Sequence, residues 1–219
     1  MNRKELLELI SKGESSTLEF KRKISSYQKI AKEISAFANT IGGYLLIGVD
    51  DDGSIVGVQS EKGDTYQIAT ACEFYIDPPL DPDIDITGIN GKDIIIVYIH
   101  ESRNKPHKLN ENPDDKSSIH KVYIRVGEKS VVASREMVRV LSGTSPDAKP
   151  VTLSIGDKEK RLFNYLDIHE RATVKDFARL ANISDRRAER LLVRLVRAGV
   201  IQIHVDSHHD YFTLTEKQI

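Results

Sequence analysis

This amino-acid sequence has little of several features that mark particular classes of protein. It contains one cysteine, Cys72, and no tryptophan among 219 residues, so a disulfide within the chain or a zinc site built from cysteines is excluded. The longest apolar run covers residues 94–99, which is far too short to cross a bilayer. The N-terminal residues lack the uninterrupted apolar centre of a signal peptide. We therefore expect a cytoplasmic protein with no membrane partner.

Net charge is also almost absent. The chain has 32 Lys and Arg against 33 Asp and Glu, a formal charge of −1. The balance is uneven along the chain, since residues 1–145 carry 19 basic and 22 acidic side chains whereas residues 146–219 carry 13 and 11. Because a whole-chain sum can hide a local basic face, nucleic-acid binding is not excluded.

A linker divides the chain into two parts. Residues 143–150 combine glycine, two prolines and small polar residues between two periodic segments, a composition typical of linkers. The chain length also fits two small domains better than one large one. We predict a first domain at 1–142 and a second at 151–219.

Hairpins dominate the first domain. Asp-Gly at 52–53 and Asn-Gly at 90–91 lie between strand-like runs, and glycine supplies the positive φ that such tight turns need. Around the first turn we predict strands at 44–49 and 55–58, and we predict a long surface loop over 103–118. Helices set between hairpins indicate an α+β fold with a mixed sheet.

Three segments of the first domain resemble a known family. They read ESSTLEFK at 14–21, AFANTIGGYLLIGVDD at 36–51 and YIRVG at 123–127. In this order they resemble the Schlafen AlbA-like domain, also described as a divergent AAA or DNA-binding domain of bacterial transcriptional regulators. The resemblance spans roughly residues 1–142. It implies a nucleic-acid-associated fold that often precedes a helix-turn-helix.

The same resemblance implies a candidate catalytic and metal site. Schlafen ribonucleases carry two glutamates five residues apart and an aspartate after the glycine-rich strand, which correspond here to Glu14, Glu19 and Asp50, with Asp51 as the alternative to Asp50. Three converging carboxylates would hold Mg²⁺ or Mn²⁺ and activate a water molecule. The alternative is structural, with Glu14 at a helix–strand junction, Glu19 paired with a nearby lysine, and the aspartates in a solvated turn.

Binding of ATP is not expected. The string Gly-x-x-x-x-Gly-Lys-Ser/Thr, which cradles phosphates, does not occur in the chain. Gly42 and Gly43 precede a strand instead of opening a helix, so we predict that they form a helix C-cap and a left-handed turn. No cofactor is expected, except for Mg or Mn under the nuclease hypothesis.

A basic strip in the first domain supplies secondary candidate contacts to nucleic acid. It consists of Lys21, Arg22 and Lys23, together with Arg125 in a later strand. Such side chains can follow a phosphate backbone. The alternative is an ordinary solvated surface.

The second domain has the pattern of a winged helix-turn-helix. Thr173 is placed to cap a helix at 174–181. After a short turn, Ser184 is placed to cap a second helix at 185–198. Strand-like runs at 200–204 and 211–214 would form the wing. The order of cap, turn, glycine stop and hairpin resembles winged helix domains, some of which bind proteins instead of DNA.

The helix at 185–198 is the predicted recognition helix. It carries five arginines against two acidic residues, and its leucines occupy one face. In a recognition helix the N-terminal side chains meet base edges and the flanking ones meet phosphates. We predict DNA contacts from Ser184, Arg186, Arg187, Arg190 and Arg194.

The leading hypothesis is a DNA-binding transcriptional regulator that could act as a homodimer. A metal-dependent nuclease acting on RNA or single-stranded DNA, and a protein-interaction scaffold, are the alternatives. His204, His208 and His209 could in principle ligate a metal, but an exposed wing favours solvated histidines.

Overall fold

The computed structural model describes residues 1–115, 117–118, 120–146, 148, 150–206 and 209–215. The chain forms two compact units, Met1–Val132 and Ala133–Ile219. The division therefore falls ten residues before the end of the predicted first domain. The reason is the helix that follows residue 132, which packs with the second unit.

The described residues of the first unit form three helices and eight strands. The helices are α1 Arg3–Ser11, α2 Tyr27–Asn39 and α3 Glu61–Phe74. The strands are β1 Leu18–Lys21, β2 Gly43–Ile47, β3 Ile76–Asp77, β4 Asp83–Ile89, β5 Lys92–Ile99, β6 Lys108–Asn110, β7 His120–Val126 and β8 Lys129–Val132.

Two four-stranded sheets build the first unit. The order in one is β1-β2-β5-β4, with β1 parallel to β2 and the other neighbours antiparallel. The order in the other is β3-β6-β7-β8. The first sheet is therefore mixed, whereas all neighbours in the second are antiparallel. Together with the helices packed on them, the sheets confirm the predicted α+β class.

Helix α2 lies at the centre of the unit. Ile30, Ile34 and Phe37 recur at helical spacing and enter a core that also holds the buried thiol Cys72. Asn39 ends the helix and is itself buried. Its amide donates to the carbonyl oxygens of His107 and Tyr123 at 2.8 and 2.9 Å. These bonds attach α2 to the second sheet.

The first predicted hairpin does not form as a ladder. Only an isolated bridge joins Val49 to Ile55. The antiparallel neighbour of β2 is β5, with Gly43 opposite Ile99. The apolar residues of β5 are buried on both faces of the sheet, so this strand makes a better central neighbour than residues 55–58.

The segment 103–118 is also less open than a surface loop. It contains β6 and the side chain of His107, which is 2% exposed. The imidazole bonds the carbonyl oxygen of Pro78 at 2.7 Å and the hydroxyl of Ser102 at 2.6 Å. Burial lowers the pKa of His107, so this segment is part of the packed unit.

The second unit is helical with a terminal hairpin. Its elements are α4 Arg135–Ser142, α5 Asp157–His169, α6 Val174–Ala181, α7 Asp185–Arg197, β9 Ile201–His204 and β10 Tyr211–Leu214. Phe177 and Phe212 are fully buried in its core. A bridge from Ala172 to Phe212 extends the hairpin beside β10. Helices followed by this hairpin give the winged-helix arrangement expected from the sequence.

Local capping fixes the helix-turn-helix. Thr173 and Asp176 form a capping box at the start of α6. Asn182 adopts a left-handed conformation between the two helices, and Gly199 does so after α7. None of the helices in the described part of the chain combines the length and apolar character that a bilayer crossing requires.

The turn at Gly42 leads from α2 into β2 and leaves no room for a side chain. Its φ is +74°, and an added Cβ would lie 2.5 Å from the carbonyl oxygen of Ile99. Gly13 has nearly the same φ, +73°, but nothing within 4 Å of that position. The prediction of a left-handed turn at Gly42 is confirmed.

These two glycines form a matched pair for a stability measurement. We expect Gly13→Ala to lower the free energy of unfolding by about 1–2 kcal/mol, the cost of the left-handed conformation alone. Gly42→Ala should cost about 1–3 kcal/mol more, because the backbone of β5 must move. Urea unfolding of both variants measures the difference. Equal losses would show that crowding against β5 is unimportant.

Candidate nucleic-acid interface

Helix α7 presents two chemically different faces. Ala188, Leu192 and Leu195 are buried in the core of the second unit. The arginines predicted to contact DNA all lie on the exposed side. We call Arg186, Arg187, Arg190 and Arg194 the arginine sector. All four are exposed.

Contacts within the arginine sector are few. Arg190 donates from Nε to the carbonyl oxygen of Arg186 at 3.3 Å, and Arg194 donates to that of Thr152 at 2.7 Å. Ser184 occupies the N-cap position but makes no side-chain capping hydrogen bond, which corrects the predicted cap. Its hydroxyl is exposed at the same end of the helix as Arg186 and Arg187.

The acidic residue Glu189 does not neutralise the arginine sector. It forms an ion pair with Arg139 of α4, and its side chain is 13% exposed. Glu189 therefore pairs with an arginine of another helix. Sequence reasoning missed Arg139, since nothing in its local pattern indicates that α4 packs on α7.

The basic strip of the first unit is only partly available. Lys21 forms an ion pair with Glu19, and Arg22 pairs with Asp50 at 2.7 Å while remaining 62% exposed. Lys23 is exposed. Arg22 and Lys23 are therefore the accessible cations of this strip.

Arg125 cannot contact nucleic acid in this structure. Its side chain is 0% exposed, and Nη1 donates to Glu19 at 2.9 Å and to Glu33 at 3.3 Å. Nη2 donates to the carbonyl oxygen of Ser15 at 2.7 Å, and the guanidinium lies 4.6 Å from the ring centre of Phe37. The predicted contact is wrong, because the guanidinium is used inside the unit.

Glu33 is the residue that sequence reasoning missed in this cluster. It is buried, although acidic residues seldom are, and it also accepts from Ser130 and pairs with Lys32 at 2.9 Å. Its position between Ile30 and Phe37, at core spacing along α2, was the available signal.

The three candidate carboxylates have separate partners. Glu14 accepts from the backbone N–H of Phe20 at 2.8 Å. Both oxygens of Glu19 are engaged by cations, Lys21 on one and Arg125 on the other, while Asp50 is paired with Arg22. Within the described residues no three His, Cys, Asp or Glu side chains are placed to hold one metal ion. The arrangement does not fit the three-carboxylate metal site that the resemblance implies.

Glu14 nevertheless lies in an acidic environment. Burial raises the pKa of its carboxyl, and the negative charges of Glu19 and Asp51 raise it further, against the opposing effect of the Phe20 N–H. Asp51, the predicted alternative to Asp50, is thus the aspartate whose charge acts on Glu14.

The wing histidines have different surroundings. His204 stacks on Tyr211 with ring centres 4.8 Å apart and bonds the hydroxyl of Thr213 at 2.9 Å. His209 lines an open pocket with Arg171. His208 lies outside the described residues.

The comparisons with known proteins identify the family. The family described as Schlafen, AlbA_2 matches residues 14–134, more than half of the chain, so this chain belongs to it. The match confirms the resemblance and ends close to the end of the first unit. The PCI domain family matches residues 158–216, which contain the winged-helix region.

Two solved structures are similar to this chain. The DIP2311 protein from Corynebacterium diphtheriae gives a TM-score of 0.48 at 17% identity, covering 91% of this chain and 34% of that one. The second is the N-terminal domain of the "ATP-dependent DNA helicase RecG-related protein" of Nitrosomonas europaea, with a TM-score of 0.39 at 22% identity. The match covers 62% of this chain and 93% of that domain. This chain therefore spans about a third of the first structure.

The buried cluster at Arg125 can be tested by stability. Arg125→Met leaves Glu19 and Glu33 without their shared cation, and we expect a loss of about 3–5 kcal/mol in the free energy of unfolding. Arg22→Met removes an exposed pair and should cost less than about 1 kcal/mol. Urea unfolding compares them. Similar losses would mean that the cluster is not a major source of stability.

The raised pKa of Glu14 predicts a pH dependence. A carboxyl whose pKa is higher in the folded state favours folding while protonated, so this contribution is lost as pH rises from its ordinary pKa through the raised one. We expect Glu14→Gln to gain stability relative to wild type as the pH rises above the ordinary pKa of a glutamate, because the wild-type carboxyl must then ionise in an unfavourable environment. Glu73→Gln, at an exposed position of α3, is the control. An identical pH profile for both variants in urea unfolding would contradict this assignment.

Proposed function

We propose that this protein is a DNA-binding transcriptional regulator and that α7 is its recognition helix. The observation that carries the proposal is the arginine sector. Four arginines stay exposed on one side of a helix whose other side is anchored in the core. A helix anchored in the core that carries several exposed guanidinium groups has the chemistry needed to reach phosphates and guanine edges.

The charge of α7 supports the same proposal. The helix carries five arginines against Asp185 and Glu189, and Glu189 is already paired with Arg139. The positive charge of the sector is therefore little reduced by its own helix. Ser184 at the N-terminal end adds a hydroxyl that could bond a phosphate oxygen.

The first unit contributes to the proposal through its family. The Schlafen AlbA-like resemblance implies association with nucleic acid, and Arg22 and Lys23 are accessible cations for a phosphate backbone. In this proposal the first unit adds nonspecific contacts, and α7 supplies the sequence-specific ones. Binding as a homodimer to a two-fold site belongs to the same proposal.

The nuclease hypothesis has less support from the geometry. Glu19 and Asp50 are each paired with cations, and Glu14 is bonded to backbone. A metal ion would have to displace Lys21, Arg22 or Arg125 before these carboxylates could act together. The pairing instead favours a structural role for Glu19.

Binding to duplex DNA over a range of salt concentrations tests the proposal. Wild-type protein should show a negative slope of log affinity against log salt. The triple variant Arg186→Gln/Arg187→Gln/Arg190→Gln should bind more than about 100-fold more weakly and with a shallower slope, because each lost contact costs about 1–3 kcal/mol. Fluorescence anisotropy with labelled DNA measures both quantities.

A variant with the same change in charge distinguishes contacts made by α7 from the effect of overall charge on DNA binding. Lys4→Gln/Lys12→Gln/Lys62→Gln removes the same charge from exposed positions in the first unit. We expect it to bind like wild type. If both triple variants weaken binding equally, α7 has no special role. If wild-type protein shows no salt-dependent binding, the scaffold hypothesis takes precedence.

A further inference from the structure

One face of helix α3 is exposed to solvent and carries two large aromatic side chains. Ile68, Ala71 and Cys72 hold the opposite face in the core of the first unit. On the outer face, Tyr66 is 69% exposed and Phe74 is 56% exposed. Exposed apolar side chains that are grouped on one face, with polar residues beside them, mark an interaction surface.

The exposed residues of this face follow a regular spacing. Lys62, Tyr66, Ala69 and Glu73 are four, three and four residues apart, and all of them are exposed. At about 100° per residue, they lie within about 60° of one another around the helix. Phe74 flanks this line, and we call the five residues the α3 stripe. Alternate spacings of four and three are typical of helices that pack side by side.

The α3 stripe is complementary to itself. The helix covers Glu61–Phe74, so its midpoint lies between residues 67 and 68. When a second copy packs antiparallel about a two-fold axis at this midpoint, Lys62 of each copy faces Glu73 of the other, and Tyr66 faces Ala69. The small side chain of Ala69 leaves room for the ring of Tyr66. Each contact occurs twice, as in the interfaces of two-fold dimers.

The charges at the two ends of the α3 stripe are placed against the helix dipole. Lys62 lies in the first turn of α3, where the dipole favours anions, and Glu73 lies in the last turn, where it favours cations. Within the described residues neither side chain forms an ion pair. Contacts inside the first unit therefore do not account for these charges, whereas pairing across a two-fold axis neutralises both of them.

We propose that the α3 stripe is the surface through which two copies of this chain form a two-fold dimer. The inference deepens the homodimer of the proposed function and rests on that part of it. A helix of 14 residues is about 21 Å long, so the contact buries less than the standard interface of about 1,600 Å². We therefore expect a Kd in the micromolar range.

Reversal of either charge tests the proposal. Lys62→Glu places a glutamate opposite Glu73 at both ends of the interface, and Glu73→Lys places a lysine opposite Lys62. Each variant should dimerise at least about tenfold more weakly than wild type, because facing like charges repel each other. Both changes suit the helix dipole, so loss of the dimer is not a result of unfolding. Lys62→Gln only removes the attraction and should change the Kd by less than about threefold.

Two combinations of these variants should restore the dimer. The double variant Lys62→Glu/Glu73→Lys has opposite charges facing each other again and should dimerise within about threefold of wild type. An equimolar mixture of the two single variants should form heterodimers in preference to either homodimer. Sedimentation equilibrium at low salt measures the Kd values, and native mass spectrometry with one variant isotope-labelled detects the heterodimer. Failure of both combinations would overturn the antiparallel pairing.

The aromatic part of the α3 stripe can be tested separately. Tyr66→Asp should weaken the dimer by at least about tenfold, because its carboxylate would be buried without a partner. Ile41→Asp, at a 58% exposed position of the first unit outside α3, is the control and should dimerise like wild type. Equal weakening by both variants would show that Tyr66 has no particular role.

All of these measurements are made without DNA, so their outcomes are independent of DNA binding by α7. A dimer that no variant of the α3 stripe weakens would overturn this surface and leave the homodimer itself intact. A chain that stays monomeric at its highest soluble concentration would overturn both. The exposed face of α3 would then belong to a different protein partner or to solvent, and binding of DNA by the arginine sector would still be judged by its own titrations.

Discussion

The first unit depends on one buried charge, the guanidinium of Arg125. It lies between Glu19 and Glu33 and thereby joins β7 to β1 and α2. A buried arginine is tolerable only when carboxylates and carbonyls bind most of its donors. Here the carbonyl oxygen of Ser15 accepts from Nη2, and only Nε lacks a partner among the described residues. The same contacts occupy a carboxylate that the family resemblance assigns to metal binding. Glu19 could bind a metal ion only by giving up the ion pair with Arg125 that stabilises the first unit.

The sequence predicted best those elements whose ends are fixed locally. The bounds of α6 and β10 agree with the predicted ranges, since Thr173 and Asp176 cap the helix and Asn182 ends it. Predictions from the sequence were wrong where the pairing of strands depends on residues far apart in the chain. A good turn at 52–53 predicted a hairpin, but β5, forty residues later, is the partner that buries more apolar surface beside β2. The residues of a turn carry no information about which distant strand will pair best with β2.

The sequence predicted which charged residues belong to the candidate site, but not which of their side chains are exposed. The spacing of leucines along α7 correctly left the arginine sector exposed. Arg125 was predicted as a contact to nucleic acid, whereas its side chain is buried and bonds Glu33, 92 residues away in the sequence. The packing of α4 on α7 was equally hidden. Its evidence lies in tertiary contacts such as Arg139 with Glu189, which no local pattern records.

Cys72 gives this chain a practical property. Its thiol is buried in the core of the first unit, and burial raises its pKa to about 12. Because the thiolate is the reactive form, this side chain stays inert towards alkylating reagents near neutral pH. A cysteine introduced at any exposed position would therefore be modified alone. Fluorescent or spin labels can report on single helices of the native chain without prior removal of Cys72.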